Sequence, residues 1–211
     1  MHAPRTLVAV LGVASMMITA CTTLAPQPRD PPTLSSGPAR IELTQVPFYP
    51  QVDDQCGPAA LAMALTHAGV ARTPEQLRDE VYLPLRQGSL PMELVSAVRR
   101  AGLTPQVLSP QLPALLQALA QGRPVIVLMN VRWRLWPQWH YAVVVGYDLP
   151  HDQIVLRSGL EERHTLSLSA FDAQWANAER WGLVVWPPAA EVAPRSAQPP
   201  ALMHAVSAPP D

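Results

Sequence analysis

The chain has 211 residues, 48% of them hydrophobic, enough for one domain with a sizeable core and too few for two large ones. Its 15 Lys and Arg against 16 Asp and Glu leave a formal net charge of −1, which excludes a general electrostatic attraction to nucleic acid or to an anionic membrane surface. The 25 prolines are densest in residues 26–38 and 187–210, so they describe tails, and the folded core is expected between them.

Residues 1–20 read as a bacterial export signal: His2 and Arg5 form a short basic region, and Leu7 to Ala20 is a nearly unbroken apolar run, too short to span a membrane. Ile18-Thr19-Ala20-Cys21 resembles the lipobox of bacterial lipoproteins. That resemblance implies cleavage before Cys21 and lipidation of its thiol. With Thr22 where an Asp would favour inner-membrane retention, the same resemblance implies an outer-membrane lipoprotein facing the periplasm. Residues 21–40, rich in Pro, Ser and Thr, are expected to form the lipidated N-terminus and a flexible tether. With Cys21 lipidated, Cys56 is the only remaining thiol and cannot enter an intramolecular disulfide. A reduced thiol in an oxidising compartment asks for a chemical reason, and nucleophilic catalysis is one.

Ordered structure is expected from Ile41, with a strand over residues 41–48 and a polar turn from Pro50 to Gln55. A helix over residues 57–68 follows, with Leu61, Leu65 and Ala68 at helical spacing and Gly69 as its stop. Thr73-Pro74-Glu75-Gln76 is a capping-box start for a helix to about Tyr82. Further helices are expected over 91–101, 113–120 and 170–178, the first two ended by Gly102 and Gly122. Residues 104–108 read as extended, and Val125-Ile126-Val127-Leu128-Met129 as a strand buried on both faces. Trp133, Trp136 and Trp139 form a cluster in a loop, before strands over 141–147, 153–156 and 183–186. Helices come mostly first and strands second, which predicts an α+β fold with N-terminal helices packed on an antiparallel sheet over residues 41–187. Residues 188–211 are expected to be a disordered Pro/Ala-rich tail.

Cys56 stands where a helix should begin, and a helix N-terminus stabilises a thiolate. Gly57 permits close backbone approach, and Pro58 in the first turn costs no helical hydrogen bond. Of the six histidines, His2 and His204 lie in the tails, and His67 sits about three turns from Cys56 along the same helix. His151 and His164 follow turn-like or charged stretches, whereas His140 opens a buried-looking strand, where a rigid base can face a helix start.

Gln51-Val-Asp-Asp-Gln55-Cys56-Gly57-Pro58-Ala-Ala-Leu-Ala-Met63, with the later His140-Tyr-Ala-Val-Val-Val-Gly-Tyr147, resembles the bacteriocin-processing, double-glycine leader peptidase family of papain-like cysteine peptidases. The resemblance covers about residues 46–158 and implies a papain-like fold, Cys56 as nucleophile and His140 as general base. It further implies an upstream glutamine whose amide helps the Cys56 N–H hold the oxyanion. Gln51 matches best, one residue closer to the cysteine than in the family pattern, with Gln55 as the alternative. The family's acid, an Asp before Pro on the strand after the histidine, is replaced here: Arg157 or Ser158 stands in its place. Ser158 can give the imidazole a weaker hydrogen bond than a carboxylate. Asp148 is a second candidate, but lies about 26 Å along the strand from His140. The transporter domains that often accompany the family's peptidases are missing from this sequence, so double-glycine leader cleavage is not carried over. The expectation is a membrane-anchored thiol peptidase of the cell envelope acting on peptides or proteins, with no metal and no cofactor. The alternative is a catalytically weak papain-like module that binds peptides or a partner.

Overall fold

A computed structural model of the chain describes residues 37–52, 55–132 and 135–188. The chain divides into two units, Met1–Asp30 and Pro31–Asp211, and every described residue belongs to the second. The residues read as an export signal, the expected lipidation site Cys21, most of the expected tether, Trp133 and the tail from residue 189 lie outside the described residues.

Among the described residues five α-helices form where the sequence supplies starts and stops. α1 spans Cys56–His67, and its alanines leave it buried continuously from Gly57 to Leu65. α2, Pro74–Val81, has the expected capping box: Gln76 N–H donates to Thr73 Oγ1 at 3.3 Å, and Thr73 N–H to Gln76 Oε1 at 3.0 Å. α3 (Pro91–Arg100) and α4 (Leu112–Ala120) each carry proline in the first turn, where no helical donor is lost. α5, Leu168–Ala176, is capped by Ser167, whose Oγ accepts from Ala170 N–H at 3.1 Å.

The strands are β1 (Arg40–Glu42), β2 (Tyr82–Leu83), β3 (Gly88–Ser89), β4 (Thr104–Val107), β5 (Val125–Asn130), β6 (Trp139–Asp148), β7 (Gln153–Ser158), β8 (Glu161–Ser167) and β9 (Gly182–Trp186). Seven make one antiparallel sheet in the order β4-β9-β5-β6-β7-β8, with β1 pairing to β6; β2 and β3 form a separate hairpin.

Period-two alternation divides the apolar strands between two cores. Ile126, Tyr141, Val143, Val145 and Leu183 pack against α1, α2 and α3. Val125, Val127, Ala142, Val144 and Leu156 face α4 and α5, where Phe171 stacks on Trp175 at 5.5 Å. The fold is α+β as expected, with α1 to α3 on the sheet; in addition α4 and α5 cover its second face. This double cover is why the run from Val125 to Met129 does not alternate in polarity.

Three expectations need correction. The strand expected over 41–48 is only β1: after Leu43 N–H bonds Val145 O at 2.7 Å the chain turns back, and Pro47 and Pro50 lack the donors a longer ladder would need. β8 was not foreseen, because Glu161, Glu162 and Arg163 lie exposed on an edge strand and leave no apolar period to read. Trp139 belongs to β6 and not to the preceding loop.

Gly146 in β6 pairs with Glu42 in β1, and a Cβ there would collide with the Ile41 carbonyl oxygen and lie 2.9 Å from Glu42 Cα. Both neighbours are backbone, which cannot rotate away. Gly146→Ala is therefore expected to destabilise the fold by about 1–3 kcal/mol, read as a lower Tm in thermal unfolding.

Candidate active site

The polar loop before α1 delivers Cys56 to the first position of that helix, with Gln55 as its N-cap. Cys56 is half-buried and packs at the edge of the core that holds Tyr141. Gly57 is glycine for a steric reason: a Cβ there would collide with Ser89 Oγ, stand 2.6 Å from Ser89 Cβ and 3.6 Å from Tyr141 Cδ2. The β2–β3 hairpin thus presses on the helix start. Tyr141 donates its hydroxyl to Ser89 O at 3.3 Å and meets the Trp181 ring edge-on at 5.9 Å. Burial raises the Tyr141 phenol well above its ordinary value, and the negative charge of Cys56 raises it further, so Tyr141 stays protonated beside the thiol.

Gln51 joins three segments. Its backbone N–H donates to Gly159 O at 2.9 Å, and its Oε1 accepts from Gly159 N–H at 2.6 Å. Its Nε2 donates to Tyr141 O at 3.0 Å and to Cys56 O at 3.3 Å. The contacted residues are Cys56 itself, the residue after His140 and the residue after Ser158. Gln55 places no side-chain cap hydrogen bond on α1, and its carbonyl accepts from Ala59 N–H at 3.0 Å.

His140, second residue of β6, places Nε2 2.9 Å from Ser158 Oγ at the end of β7. Burial lowers the His140 pKa below its ordinary 6.5, and the nearby charge of His164 lowers it further, so the neutral imidazole is favoured. His164 sits on β8 opposite Leu156 and bonds Glu161 Oε2 through Nδ1 at 3.0 Å.

Of the two residues standing in the family's acid position, Ser158 meets His140. Arg157 is buried and sends Nη2 to Val46 O at 3.3 Å and Nη1 to Glu162 O, which ties the loop after β1 to β8. Asp148 lies at the opposite end of β6, paired with Arg40 and with His151 Nδ1 at 2.9 Å. Trp136 and Trp139 are 78% and 53% exposed, on the β5–β6 connection and the strand start beside His140. Sequence reasoning missed Ser89 and Gly159, and set His164 aside because it follows a charged stretch. Glycine at 159, with φ of 58°, carried a turn signal; nothing local marked Ser89. Among the described residues no three His, Cys, Asp or Glu side chains gather as a metal site.

Comparison with curated proteins finds no match. Solved structures with the same fold include a C39-like protein from Bacillus anthracis, 17% identical with a TM-score of 0.57, covering 69% of this chain and 96% of that one. A double-glycine motif protease of an AMS/PCAT transporter, solved with its leader peptide, is 21% identical with a TM-score of 0.52, covering 73% and 96% of the two chains. A cysteine protease from Carica candamarcensis is 14% identical with a TM-score of 0.54, covering 72% and 99%. The profile of the "Peptidase_C39 like family" matches residues 43–182, well over half of the chain. With this match, the helix-start cysteine and the antiparallel sheet, the chain belongs to the peptidase C39-like family and carries a papain-like cysteine peptidase domain.

Proposed function

We propose that this domain is an active thiol peptidase of the bacterial cell envelope, held at the membrane through lipid on Cys21. The observation that carries the catalytic reading is the Gln51 carboxamide, which links Cys56, the neighbour of His140 and the neighbour of Ser158 at one point. In the reaction, Cys56 Sγ attacks a peptide carbonyl carbon while its proton passes to His140. Ser158 engages Nε2, so Nδ1 is the nitrogen that exchanges this proton. The tetrahedral oxyanion is held by the N–H of Cys56, in the turn of α1 where amides lack intrahelical acceptors. Collapse expels the amine, which takes the proton from His140 and leaves a thioester. Water then attacks, gives its proton to His140, and the Cys56 thiolate departs as the carboxylic acid forms. Support for a peptide substrate comes from the AMS/PCAT neighbour, whose structure includes a leader peptide.

The test is the rate of iodoacetamide alkylation of Cys56 against pH, in wild type and His140→Ala. Cys56 is resolved from Cys21 by peptide mass spectrometry. Wild type is expected to titrate below the ordinary thiol value of about 8.5, with part of that depression lost in the variant. An ordinary thiol in both proteins would leave a binding module in place of the enzyme. Mass spectrometry of the mature N-terminus tests the lipid: an unmodified Cys21 in the membrane fraction would end the anchoring proposal.

A further inference from the structure

The end of the β5–β6 connection and the first residue of β6 carry exposed apolar side chains directly before His140: Leu135, Trp136 and Trp139. An indole left in water forgoes a large burial, and neighbouring exposed apolar groups mark a contact surface. The neck of this connection is fastened. Val131 N–H donates to Gln138 O at 3.0 Å, and the buried Asn130 side chain accepts through Oδ1 from Arg132 N–H at 3.1 Å and from Gln138 N–H at 3.0 Å. Trp139 is itself paired with Asn130 in the β5–β6 ladder, so its ring is presented from a fixed strand. Beside it, Arg132, Trp136, Pro137 and Gln138 line a groove of about 390 Å³.

Two facts decide which part of a substrate meets these rings. Trp139 and Tyr141 stand two residues apart on β6 and therefore share a sheet face. Tyr141 belongs to the core against which Cys56 packs, so Trp139 lies on the thiol side of the sheet, at the open end of the strand. The second fact is the direction of the chemistry. The acyl carbon is bonded to Cys56 Sγ with its oxygen at the start of α1, and the leaving amine takes its proton from His140. The chain that follows the scissile nitrogen thus begins over the start of β6, where Trp139 is the residue before the base.

From this we infer, resting on the Cys/His peptidase reading above, that Trp139 and Trp136 form a leaving-side specificity site, which takes a bulky apolar or aromatic residue just after the scissile bond. Such a side chain gains apolar burial and ring contact against an indole, which a small or charged one does not. A membrane surface also suits exposed tryptophans. The place of Trp139 beside the base and on the thiol side favours the substrate.

The experiment digests a pool of peptides with the full chain and reads the cut sites by mass spectrometry, for wild type, Trp136→Ala, Trp139→Ala and Trp139→Phe. It then measures kcat and KM on two internally quenched peptides, built on a cut sequence, that differ only in Phe against Gly after the scissile bond. Cys56 alkylation against pH is followed alongside, with His140→Ala as reference. Wild type is expected to enrich Leu, Phe, Tyr or Trp after the cut. Trp139→Ala should lower the Phe-to-Gly ratio of kcat/KM about tenfold, mainly through KM, while Trp139→Phe retains most of it. Trp136→Ala should lower the ratio in the same direction. An unchanged ratio in both alanine variants would overturn the inference and leave the indoles to a membrane surface. A change confined to residues before the cut would overturn it as well, by moving the rings to the acyl side. So would a Trp139→Ala alkylation profile that falls onto that of His140→Ala, since the indole would then support the base and not the substrate. A wild-type protein that cuts no peptide in the pool would instead defeat the peptidase reading itself, and this inference with it.

Discussion

Cys56→Ser is expected to leave the fold and Tm unchanged while reducing peptide hydrolysis by about three orders of magnitude or more. The two side chains differ little in size, and Cys56 is half-buried at the start of a helix whose packing is carried by Gly57 to Leu65. The chemistry is much less tolerant. A serine hydroxyl must lose its proton to His140 during attack, and burial has already made that imidazole a weaker base than an ordinary histidine. Thermal unfolding followed by circular dichroism, with hydrolysis of a fluorogenic peptide, checks both halves; a fully active serine variant would remove Cys56 from the mechanism.

The second large effect concerns His140 and its partner. His140→Ala is expected to lower kcat/KM by about 10²- to 10⁴-fold, the range for loss of a general base. Ser158→Ala should cost less than about tenfold, since a neutral hydroxyl orients the ring without balancing the imidazolium charge. Equal losses would make Ser158 as indispensable as the base. The pH dependence follows from the direction of the His140 shift. Its pKa lies below 6.5, so the base remains neutral and competent in acid where an ordinary histidine is protonated, and the His140 limb of the rate profile falls below pH 6.5. Ser158→Asp places a carboxylate against Nε2, raises the His140 pKa and moves that limb upward. The linked effect on stability has the same origin. Below pH 6.5 the unfolded chain takes up a proton that the folded chain resists, so the wild-type fold loses stability as the pH falls through this window. Ser158→Asp should reduce that loss.

Much of the scaffold was legible from local rules. Thr73 with Gln76, proline in the first turn of each of the four, and glycines 69, 102 and 122, all with positive φ, bounded α1 to α4 within about two residues. The helix-start position of Cys56 and the strand-opening position of His140 were equally visible. β8 was not, because an edge strand with exposed charges has no apolar period. β1 was overextended because its alternation continues past the point where prolines remove the donors. The choice between Arg157 and Ser158 was open for a related reason. Irregularities in the β6–β7 and β7–β8 ladders, at Val144/Gly146 and Leu156/Ser158, shift which residues face each other, and such shifts leave no mark in side-chain type.

The linear chain by itself determined which elements form and which residues carry reactive chemistry, because capping, periodicity and the functional groups of the side chains are properties of short segments. Tertiary structure alone decided which groups meet. Ser158 reaches His140 across 18 residues, Gln51 reaches Tyr141 across 90 and Gly159 across 108, and His164 reaches His140 only through its charge. Hydrogen bonds are directional and desolvation depends on everything packed around a site, so neither the partners of Gln51 nor the lowered His140 pKa exists until the sheet and α1 are assembled.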